Sequence, residues 1–552
     1  MTMRTTTVVL LLSLSLAGNL RAQDCTRPPL EELCSEGVYP DGTIIHYPLS
    51  AFEVDGIIRA AAGALGGPAT IAVVDRAGLP LGVYRKPGAS ASDDDVALNL
   101  ARTAAFFSNN QAPLSSRTVR FISGVHFPPG VKNAPPGALY GIEQSNRGCD
   151  LGVMWFPRPQ CMPRARSLDG ILNFKPCNEV DASGCGPGII TGKRQPDDGP
   201  YPQSPFDRPV NAGGIPLYRI VDARPAEGIV DQAVLVGGIG VAGVAGDGQL
   251  AEFAAATGAF APHFAPVPKF PLPDPGNVFI DGIRLPFLGP DQRLRFDANG
   301  LPIGLEQPEG TSPDATPFDR ANYAFGPIDG GCTNDGYLVE PRPRSLSADD
   351  VDAIVQRGIA AARRTRAVIR LPPNSYARMV IAVADVDGTI LALYRMPDAT
   401  IFSVDVAVSK ARNMAHYNAV GLPGLPGGTF VTSRTIGFGA QPLYPPGIES
   451  PPGPWYSLFL QNLATPCLGG QGITFFAGST PLVRGGELVG GLGVSGDGVE
   501  QDDYVTVAAA GDLLPPRDKW ADRIKVGGAR LPMFKFPRHP EGVTECGGGP
   551  CS

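Results

Sequence analysis

Two segments of the chain space their apolar residues as one buried face of a helix would. Ser50 precedes the first segment and Ser347 the second, and a serine hydroxyl is a preferred acceptor for the free N–H groups of a first helical turn. The apolar positions recur at intervals of three and four residues: Val54, Ile57, Ile58, Ala61, Ala62 and Leu65, then Val351, Ile354, Val355 and Ile359. The pattern predicts two amphipathic core helices.

Each predicted helix is followed by two runs rich in β-branched residues. The runs are 69–75 and 79–85 after the first helix, and 379–385 and 389–395 after the second. The connections read DRAG and DVDG, and Asp and Gly at the ends of a short connection are typical of a β-hairpin. We therefore expect two hairpins, with Asp75 and Asp385 as turn residues.

The two sets of elements come from a duplication. ATIAVVDRAGLPLGVYR (69–85) and MVIAVADVDGTILALYR (379–395) align without a gap at an offset of 310. Further pairs follow in the same order: SRTVRF and SRTIGF, PPG and PPG, VGGIGV and VGGLGV, GIRLP and GARLP. A repeat of this length indicates one fold built twice. We expect repeat 1 over 48–290 and repeat 2 over 346–538.

The rest of the 552-residue chain divides around these repeats. Repeat 1 carries 64 more residues than repeat 2 between PPG and VGG, mostly in a Cys/Pro/Gly-rich insertion at about 150–212. A linker rich in Pro, Gly and Asp covers 291–345, and Cys-containing segments lie at 23–47 and 539–552. Such compositions predict irregular surface structure rather than a packed core.

A second helix is predicted in each repeat, over about 93–108 and 403–419. In repeat 2 its apolar stripe is Val404, Ala407, Val408, Ala411 and Ala415, which we expect to be core. Asp405, Ser409, Arg412 and His416 fall on the opposite side, which we expect to be a polar face. The later VGG motifs predict a close backbone approach or a bulge, since glycine has no side chain.

The N-terminus predicts export. Residues 1–22 contain Arg4, an apolar run from Val8 to Leu16 and a small residue, Ala22, before a plausible cleavage site, as secretory signal peptides do. No apolar run reaches the roughly 20 residues of a membrane span. We expect a periplasmic or extracellular protein without a membrane span.

All ten cysteines lie beyond the signal peptide, and thiols pair in oxidising compartments. We therefore expect disulfides rather than a metal site, because no C-x-x-C motif is present. The closely spaced pairs, which are the best candidates for local bridges, are Cys25/Cys34, Cys177/Cys185 and Cys546/Cys551.

Charge and motifs exclude several function classes. The formal net charge is −7, and we find no basic stripe with interleaved aromatic residues, so nucleic acid is not an expected partner. No H-E-x-x-H, G-x-S-x-G, Walker or Rossmann motif is present, which argues against the common hydrolase and nucleotide-binding classes. Five histidines in the whole chain also argue against a multi-metal enzyme.

The order of the motifs resembles the GlcG/HbpS family of haem-degrading or haem-binding domains. In repeat 2 the resemblance is carried by IAVAD (381–385), YRM (394–396), SKA (409–411), GGLGVSG (490–496) and QDD (501–503). Repeat 1 keeps the strands but has Leu100 in place of the lysine and Gln249-Leu250 in place of the Gln-Asp pair. The resemblance covers both repeats and leaves the insertion, linker and tails without a counterpart.

The resemblance implies an α/β fold: two tandem profilin-like domains, each an antiparallel sheet flanked by helices. It also implies binding of haem or another tetrapyrrole, a link to haem handling or redox sensing, and assembly into homo-oligomers. Haem iron needs an axial ligand such as His or Tyr, and His416 is the one histidine in a predicted helix of either repeat. The cofactor-binding candidates are His416 as iron ligand, Arg412, Lys410, Arg395 and Tyr417.

The same candidate residues can also be explained by structural roles alone. His416 aligns with Phe106 in repeat 1, so the fold itself does not require a histidine there. Arg85 and Arg395 fit ion pairs with Asp95 and Asp405 of the next helix. Two other hypotheses therefore remain open: an assembly module without enzymatic activity, and an enzyme that anchors a small organic acid through Arg395 and Lys410. The insertion at 150–212 is a candidate surface for a partner.

Overall fold

The structure, a computed structural model, describes the greater part of both repeats and short pieces of the linker. The described residues are 49–78, 80–91, 93–129, 131–142, 212–221, 232–244, 248–260, 278–289, 294–296, 302–307, 314–325, 335–370, 375–448, 450–464 and 472–541. All ten cysteines, the predicted signal peptide and nearly all of the insertion lie outside these ranges. The disulfide predictions thus concern residues that the structure does not describe.

The described part of repeat 1 follows the predicted order of elements. Its helices are α1 (Ala51–Gly63), α2 (Asp93–Phe107), α3 (Ser116–Phe121) and α4 (Gly248–Ala259). Its strands are β1 (Thr70–Asp75), β2 (Pro80–Arg85), β3 (Gly214–Val221), β4 (Gln232–Ala242), β5 (Phe279–Ile280) and β6 (Ile283–Arg284). The Ser50 hydroxyl caps α1 by accepting from the Glu53 backbone N–H, as predicted.

The linker and repeat 2 continue the series. The linker supplies β7 (Leu294–Phe296), β8 (Pro302–Leu305), β9 (Tyr323–Phe325) and β10 (Gly336–Val339). The helices of repeat 2 are α5 (Ala348–Arg364), α6 (Phe402–Val420), α7 (Ser433–Gly439), α8 (Tyr456–Ala464) and α9 (Val499–Ala510). Its strands are β11 (Val380–Ala384), β12 (Ile390–Arg395), β13 (Ser479–Arg484), β14 (Glu487–Ser495), β15 (Lys525–Val526) and β16 (Ala529–Arg530).

Short 3₁₀ turns lie at Arg320–Asn322, Gly511–Leu513, Arg517–Lys519 and Ala521–Arg523. Within the described ranges, we find no helix with the length and apolar character needed to cross a membrane.

The two repeats build the same sheet. The strand order is β3-β4-β1-β2-β9 in one and β10-β12-β11-β14-β13 in the other, and every pairing is antiparallel. This confirms the predicted fold class of two tandem α/β domains with antiparallel sheets. The linker departs from expectation because β9 pairs with β2 and β10 pairs with β12. It thereby covers an otherwise open edge of each sheet, where unpaired backbone groups would invite aggregation.

The VGG glycines let one helix lie directly on each sheet. A Cβ atom on Gly240 would lie 2.0 Å from the carbonyl oxygen of Ala97 in α2, and one on Gly493 would lie 2.1 Å from that of Ala407 in α6. Any side chain at these positions would push the helix away. The predicted close backbone approach is therefore confirmed, and it fixes α2 and α6 as the central helices.

The prediction that one side of α6 forms a polar surface face is wrong for most of the helix. Asp405 and Ser409 are buried, together with Lys410 and Asn413, while His416 is exposed. The reason is tertiary: segment 472–478 and repeat 1 cover the side of α6 that faces away from the sheet. Its polar side chains consequently make buried hydrogen bonds, such as that from Asn413 Nδ2 to the Gly472 carbonyl (3.1 Å).

The repeats are joined by a buried interface that involves the hairpin turn of repeat 1. Arg76 Nη2 lies 2.6 Å from Asp398 Oδ1, and both side chains are at most 5% exposed. The Asn110 backbone N–H donates to the same carboxylate oxygen (3.1 Å). Close by, the rings of Phe107 and Phe402 stack with centroids 4.0 Å apart. The β1–β2 turn and the C-terminal end of α2 are thus buried against repeat 2.

Candidate functional site

Helix α6 carries a lysine that is fully buried in an ionic cluster. Lys410 Nζ donates to Asp502 Oδ2 (2.9 Å) and to the Val494 carbonyl (2.6 Å). Burial favours the neutral form of both partners: it lowers the pKa of Lys410 and raises the pKa of Asp502 to about 7, against their mutual attraction. This pair binds α6 to α9 across the end of β14.

The next residue of α9 extends the cluster towards the C-terminal segment. Asp503 accepts hydrogen bonds from Arg434 Nε (2.5 Å), from the Gly478 backbone N–H (3.0 Å) and from the Lys535 backbone N–H (3.0 Å). One buried carboxylate thus holds α7, the start of β13 and the segment after β16. These contacts position the structure around α6.

Repeat 1 has an apolar pair where repeat 2 has the lysine and the aspartate. Atoms within 4 Å of a Cβ added to Gly478 belong to Val494, Asp502 and Lys410, and those around Gly213 belong to Val241, Ala251 and Leu100. The equivalent of Asp502 is therefore Ala251, not Leu250 as the sequence alignment suggested. The following acid is retained, since Glu252 pairs with Arg117 (2.8 Å) as Asp503 pairs with Arg434.

The two arginines at the ends of the hairpins also point inward. Arg395 is fully buried and its Nε donates to the Ala399 carbonyl (3.0 Å). In repeat 1, Arg85 Nη2 lies 2.6 Å from Asp94, the residue before the predicted partner Asp95. Both arginines hold the connection between the second strand of the hairpin and the central helix.

A different set of residues reaches solvent at the C-terminal end of α6. Arg412, His416 and Val420 follow one another at intervals of four residues on this helix, and Arg412 Nε donates to the carbonyl of the hairpin glycine, Gly388 (2.9 Å). His416 is exposed, Val420 is 65% exposed, and Val386 in the same turn is 41% exposed. We call Val386, Arg412, His416 and Val420 the His416 face.

The His416 imidazole is available for a ligand. Its ring contacts that of Tyr417 edge-on (centroids 5.0 Å apart), and it has no hydrogen bond to another residue in the described part of the chain. Tyr417 itself is buried, and burial holds its pKa above the ordinary value. No group of three or more His, Cys, Asp or Glu side chains is arranged around a metal site within the described ranges.

The corresponding surface of repeat 1 is not accessible. Arg102 Nε donates to the Gly78 carbonyl (2.9 Å), as Arg412 does to Gly388, but Arg102 and Phe106 are at most 2% exposed. The adjoining turn residue Arg76 is equally buried in the contact with Asp398. Repeat 1 thus uses this face for the interface between repeats, whereas repeat 2 presents it to solvent.

The structure separates the five predicted site residues into two groups. Arg412 and His416 lie on the exposed face, with Tyr417 buried beside them. Lys410 and Arg395 are fully buried, and their contacts are with α9, β14 and the residues after β12. Burial with internal partners removes Lys410 and Arg395 as anchors for a solvent-borne organic acid. Sequence spacing could not reveal this, because it does not show which side of α6 is covered.

Comparison with known proteins places the fold in a family. The family model described as "Haem degrading protein HbpS-like" matches residues 50–149 and 346–511, one segment in each repeat. The chain is 30% identical over 131 residues to an uncharacterized 15.0 kDa protein of Citrobacter freundii from the dhaT-dhaS intergenic region, covering 24% of this chain and 72% of that protein. The chain belongs to the HbpS-like family.

Two further similarities concern only parts of this HbpS-like chain. It is 33% identical over 138 residues to the corrinoid adenosyltransferase PduO of Salmonella typhimurium, covering 25% of this chain and 33% of that protein. The chain therefore spans a third of the length of that enzyme. A crystal structure of a PduOC–haem complex is 26% identical and covers 30% of this chain and 96% of that one, with a TM-score of 0.22.

Proposed function

We propose that this HbpS-like protein binds haem or a closely related tetrapyrrole through the His416 face of repeat 2. A haem site needs an axial ligand, apolar surface for the macrocycle and cations for the propionates. His416 supplies the imidazole, Val386 and Val420 supply exposed apolar surface, and Arg412 supplies a guanidinium suited to a carboxylate. The residues of the His416 face therefore fit a haem group.

The observation that carries this proposal is that equivalent faces of the central helix are buried in repeat 1 and exposed in repeat 2. Repeat 1 buries the face and has Phe106 at the position of His416, while repeat 2 exposes it together with a histidine. Repeat 2 thus offers an imidazole, a guanidinium and two valine side chains on this face, whereas repeat 1 keeps the corresponding Arg102 and Phe106 buried. The family description as haem-degrading supports the same ligand class. We infer one haem site per chain.

A second cation borders the face and supports propionate binding. Arg344 Nη1 pairs with Asp387 (2.6 Å) in the same hairpin turn, and the Arg344 side chain is 50% exposed. Arg344 and Arg412 would therefore flank the turn that carries Val386. When bound, the haem iron would supply a redox-active centre, which suits a role in haem handling or redox sensing.

We expect His416→Ala to abolish a haemin-induced absorption band that the wild-type protein gives. The reason is that the axial ligand is lost, whereas an exposed substitution typically changes stability by less than about 0.5 kcal/mol. The measurement is titration of the purified protein with haemin, followed by its visible spectrum. His539→Ala is the matched control, since His539 is also exposed but lies outside the His416 face. An identical band in both variants would contradict the proposal.

Failure of the wild-type protein to bind haemin would instead favour the assembly hypothesis. In that hypothesis the fold serves domain pairing, as repeat 1 already uses this face. Binding of other copies, or of a partner through the insertion at 150–212, then becomes the function to test.

We further propose that the protein is exported to the periplasm or beyond, and that its cysteines pair there. Residues 1–22 and the ten cysteines support this as sequence features. Mass spectrometry of the secreted protein should show a start near residue 23 and very few free thiols under denaturing, non-reducing conditions. A full-length N-terminus, or four or more free thiols, would exclude this proposal.

A further inference from the structure

Two arginines lie near one carboxylate at the C-terminal end of repeat 2, and two further cations lie beside them in the chain. Arg517 Nη1 lies 3.1 Å from Asp522 Oδ2, and Arg530 Nη2 lies 3.9 Å from the same oxygen. Arg523 Nε donates to the Arg517 carbonyl (3.1 Å), and Lys525 stands directly opposite Arg530 in the β15–β16 ladder. We call Arg517, Arg523, Lys525 and Arg530, together with Asp522, the basic hairpin.

These cations face solvent from a fixed scaffold. The side chains of Arg517 and Arg530 are 59% and 67% exposed, and Arg523 and Lys525 are exposed as well. The Tyr444 hydroxyl donates to the Val526 carbonyl (2.6 Å), and the buried Leu531 closes the hairpin through its backbone N–H to Ile524 (3.0 Å). The backbone that carries the charged groups is therefore held in place, which lowers the entropic cost of binding a ligand.

The basic hairpin does not stabilise the fold, because its cations repel one another. Lysine and arginine directly opposite each other in an antiparallel ladder repel, and the single carboxylate of Asp522 cannot neutralise four cations. From 517 to 530 the chain has five basic and two acidic residues, in a protein of formal net charge −7. The equivalent stretch of repeat 1, 271–284, has one arginine and two aspartates. The positive charge belongs to repeat 2 and not to the shared fold.

We propose that the basic hairpin is a docking surface for an acidic polysaccharide. Guanidinium groups bind the carboxylates or sulfates of such a chain in pairs of hydrogen bonds. A lipid surface fits less well, because no large apolar side chain is exposed between 515 and 530 for insertion. A nucleic acid also fits less well, because the Arg517 guanidinium already covers one face of the Trp520 ring, with its Cζ 4.0 Å from the ring centroid. This contact blocks base stacking on that face.

Lys525→Glu tests the proposal without endangering the fold. The variant replaces a repulsive cross-strand pair with an attractive one, so it should melt no lower than the wild-type protein. It also lowers the net charge of the docking surface by two units. We expect its affinity for polygalacturonate to fall on the order of tenfold, and the wild-type affinity to fall as salt rises.

The matched control is Lys132→Glu, which makes the same charge change at an exposed site in repeat 1. It should keep its affinity for polygalacturonate to within about twofold, because long-range charge effects are screened at physiological salt. Binding is measured by fluorescence anisotropy of labelled polygalacturonate, with neutral dextran as a blank. Equal losses in both variants, or no wild-type binding, would overturn the proposal. Tighter binding to phosphatidylglycerol vesicles or to a single-stranded oligonucleotide would overturn the choice of a polysaccharide.

Discussion

Lys410→Leu should lower the free energy of unfolding of the protein by about 3–5 kcal/mol, because it leaves the buried carboxylate of Asp502 without its partner. The Lys410 ammonium is 2.9 Å from this carboxylate, and the Lys410 side chain has no exposed surface. Removing one member of a buried ion pair costs far more than the pair contributes when intact, since the remaining charge stays desolvated. Urea denaturation of the full chain measures the loss.

The double variant Lys410→Leu/Asp502→Ala should recover most of this stability. It installs the apolar pair that repeat 1 carries as Leu100 and Ala251 at the equivalent place. A well-packed apolar replacement of a buried ion pair is often neutral or stabilising, so we expect a net loss of at most about 1 kcal/mol. A double variant no more stable than the single one would show that the pair has a structural role that repeat 1 does not share.

The single variant should also respond to pH in a defined direction. Burial already raises the pKa of Asp502 in the wild-type protein, and loss of Lys410 removes the attraction that opposes this shift. A carboxyl group whose folded pKa is raised binds protons more readily in the folded state, so acidification below neutral pH stabilises the fold relative to the unfolded chain. Because Asp502 of the wild-type protein already has a pKa of about 7, the stability deficit of Lys410→Leu should shrink as the pH falls towards 7 from the alkaline side, where only the variant is protonated at Asp502, and stay constant from 7 towards 4.

Arg76→Ala should destabilise the contact between the repeats and lower the free energy of unfolding by about 3 kcal/mol. Asp398 lies 322 residues away in sequence, and the pair is buried. Burial alone would raise the pKa of Asp398, but Arg76, Arg378 and Arg370 outweigh it and hold that pKa below its ordinary value. The pair therefore stabilises the fold above the ordinary carboxylate pKa, and its contribution is lost as the pH falls through the lowered value.

Calorimetry separates a loss at the interface from a general loss of stability. Arg76→Ala should broaden or split the unfolding transition, because the two domains would lose a contact that couples them. Arg59→Ala is the matched control, as it removes a half-exposed pair within α1 that contributes about 0.3–0.5 kcal/mol. A single, equally sharp transition in both variants would argue that Arg76 does not couple the repeats.

Local patterns were sufficient for the framework of the fold. Ser50 and Ser347 cap the two opening helices as predicted, and the DRAG and DVDG turns close the two hairpins. The glycines of VGG predicted a close approach, which the structure shows as helices lying on β4 and β14. These features depend on capping, turn chemistry and side-chain size, which act over a few residues and can be read from one sequence.

The site could be predicted only in part, because exposure depends on what packs against each face. Sequence spacing identified Arg412 and His416, which do share an exposed surface. The family resemblance grouped Lys410 with them, although that side chain points into the ionic cluster with Asp502. The basic hairpin was missed altogether, because its cations are spread over two 3₁₀ turns and two short strands, and only folding brings Arg517 and Arg530 to the same carboxylate, Asp522.

The sequence by itself determined that this protein is a duplication, with the order of helices and strands in each repeat and a histidine in only one copy of the central helix. Only the tertiary structure decided which copy can use that face. Repeat 1 buries Arg102 and Phe106 where its hairpin turn meets Asp398, and repeat 2 leaves His416 in solvent. The physical reason is that two equivalent faces become different once one of them forms the contact between the repeats.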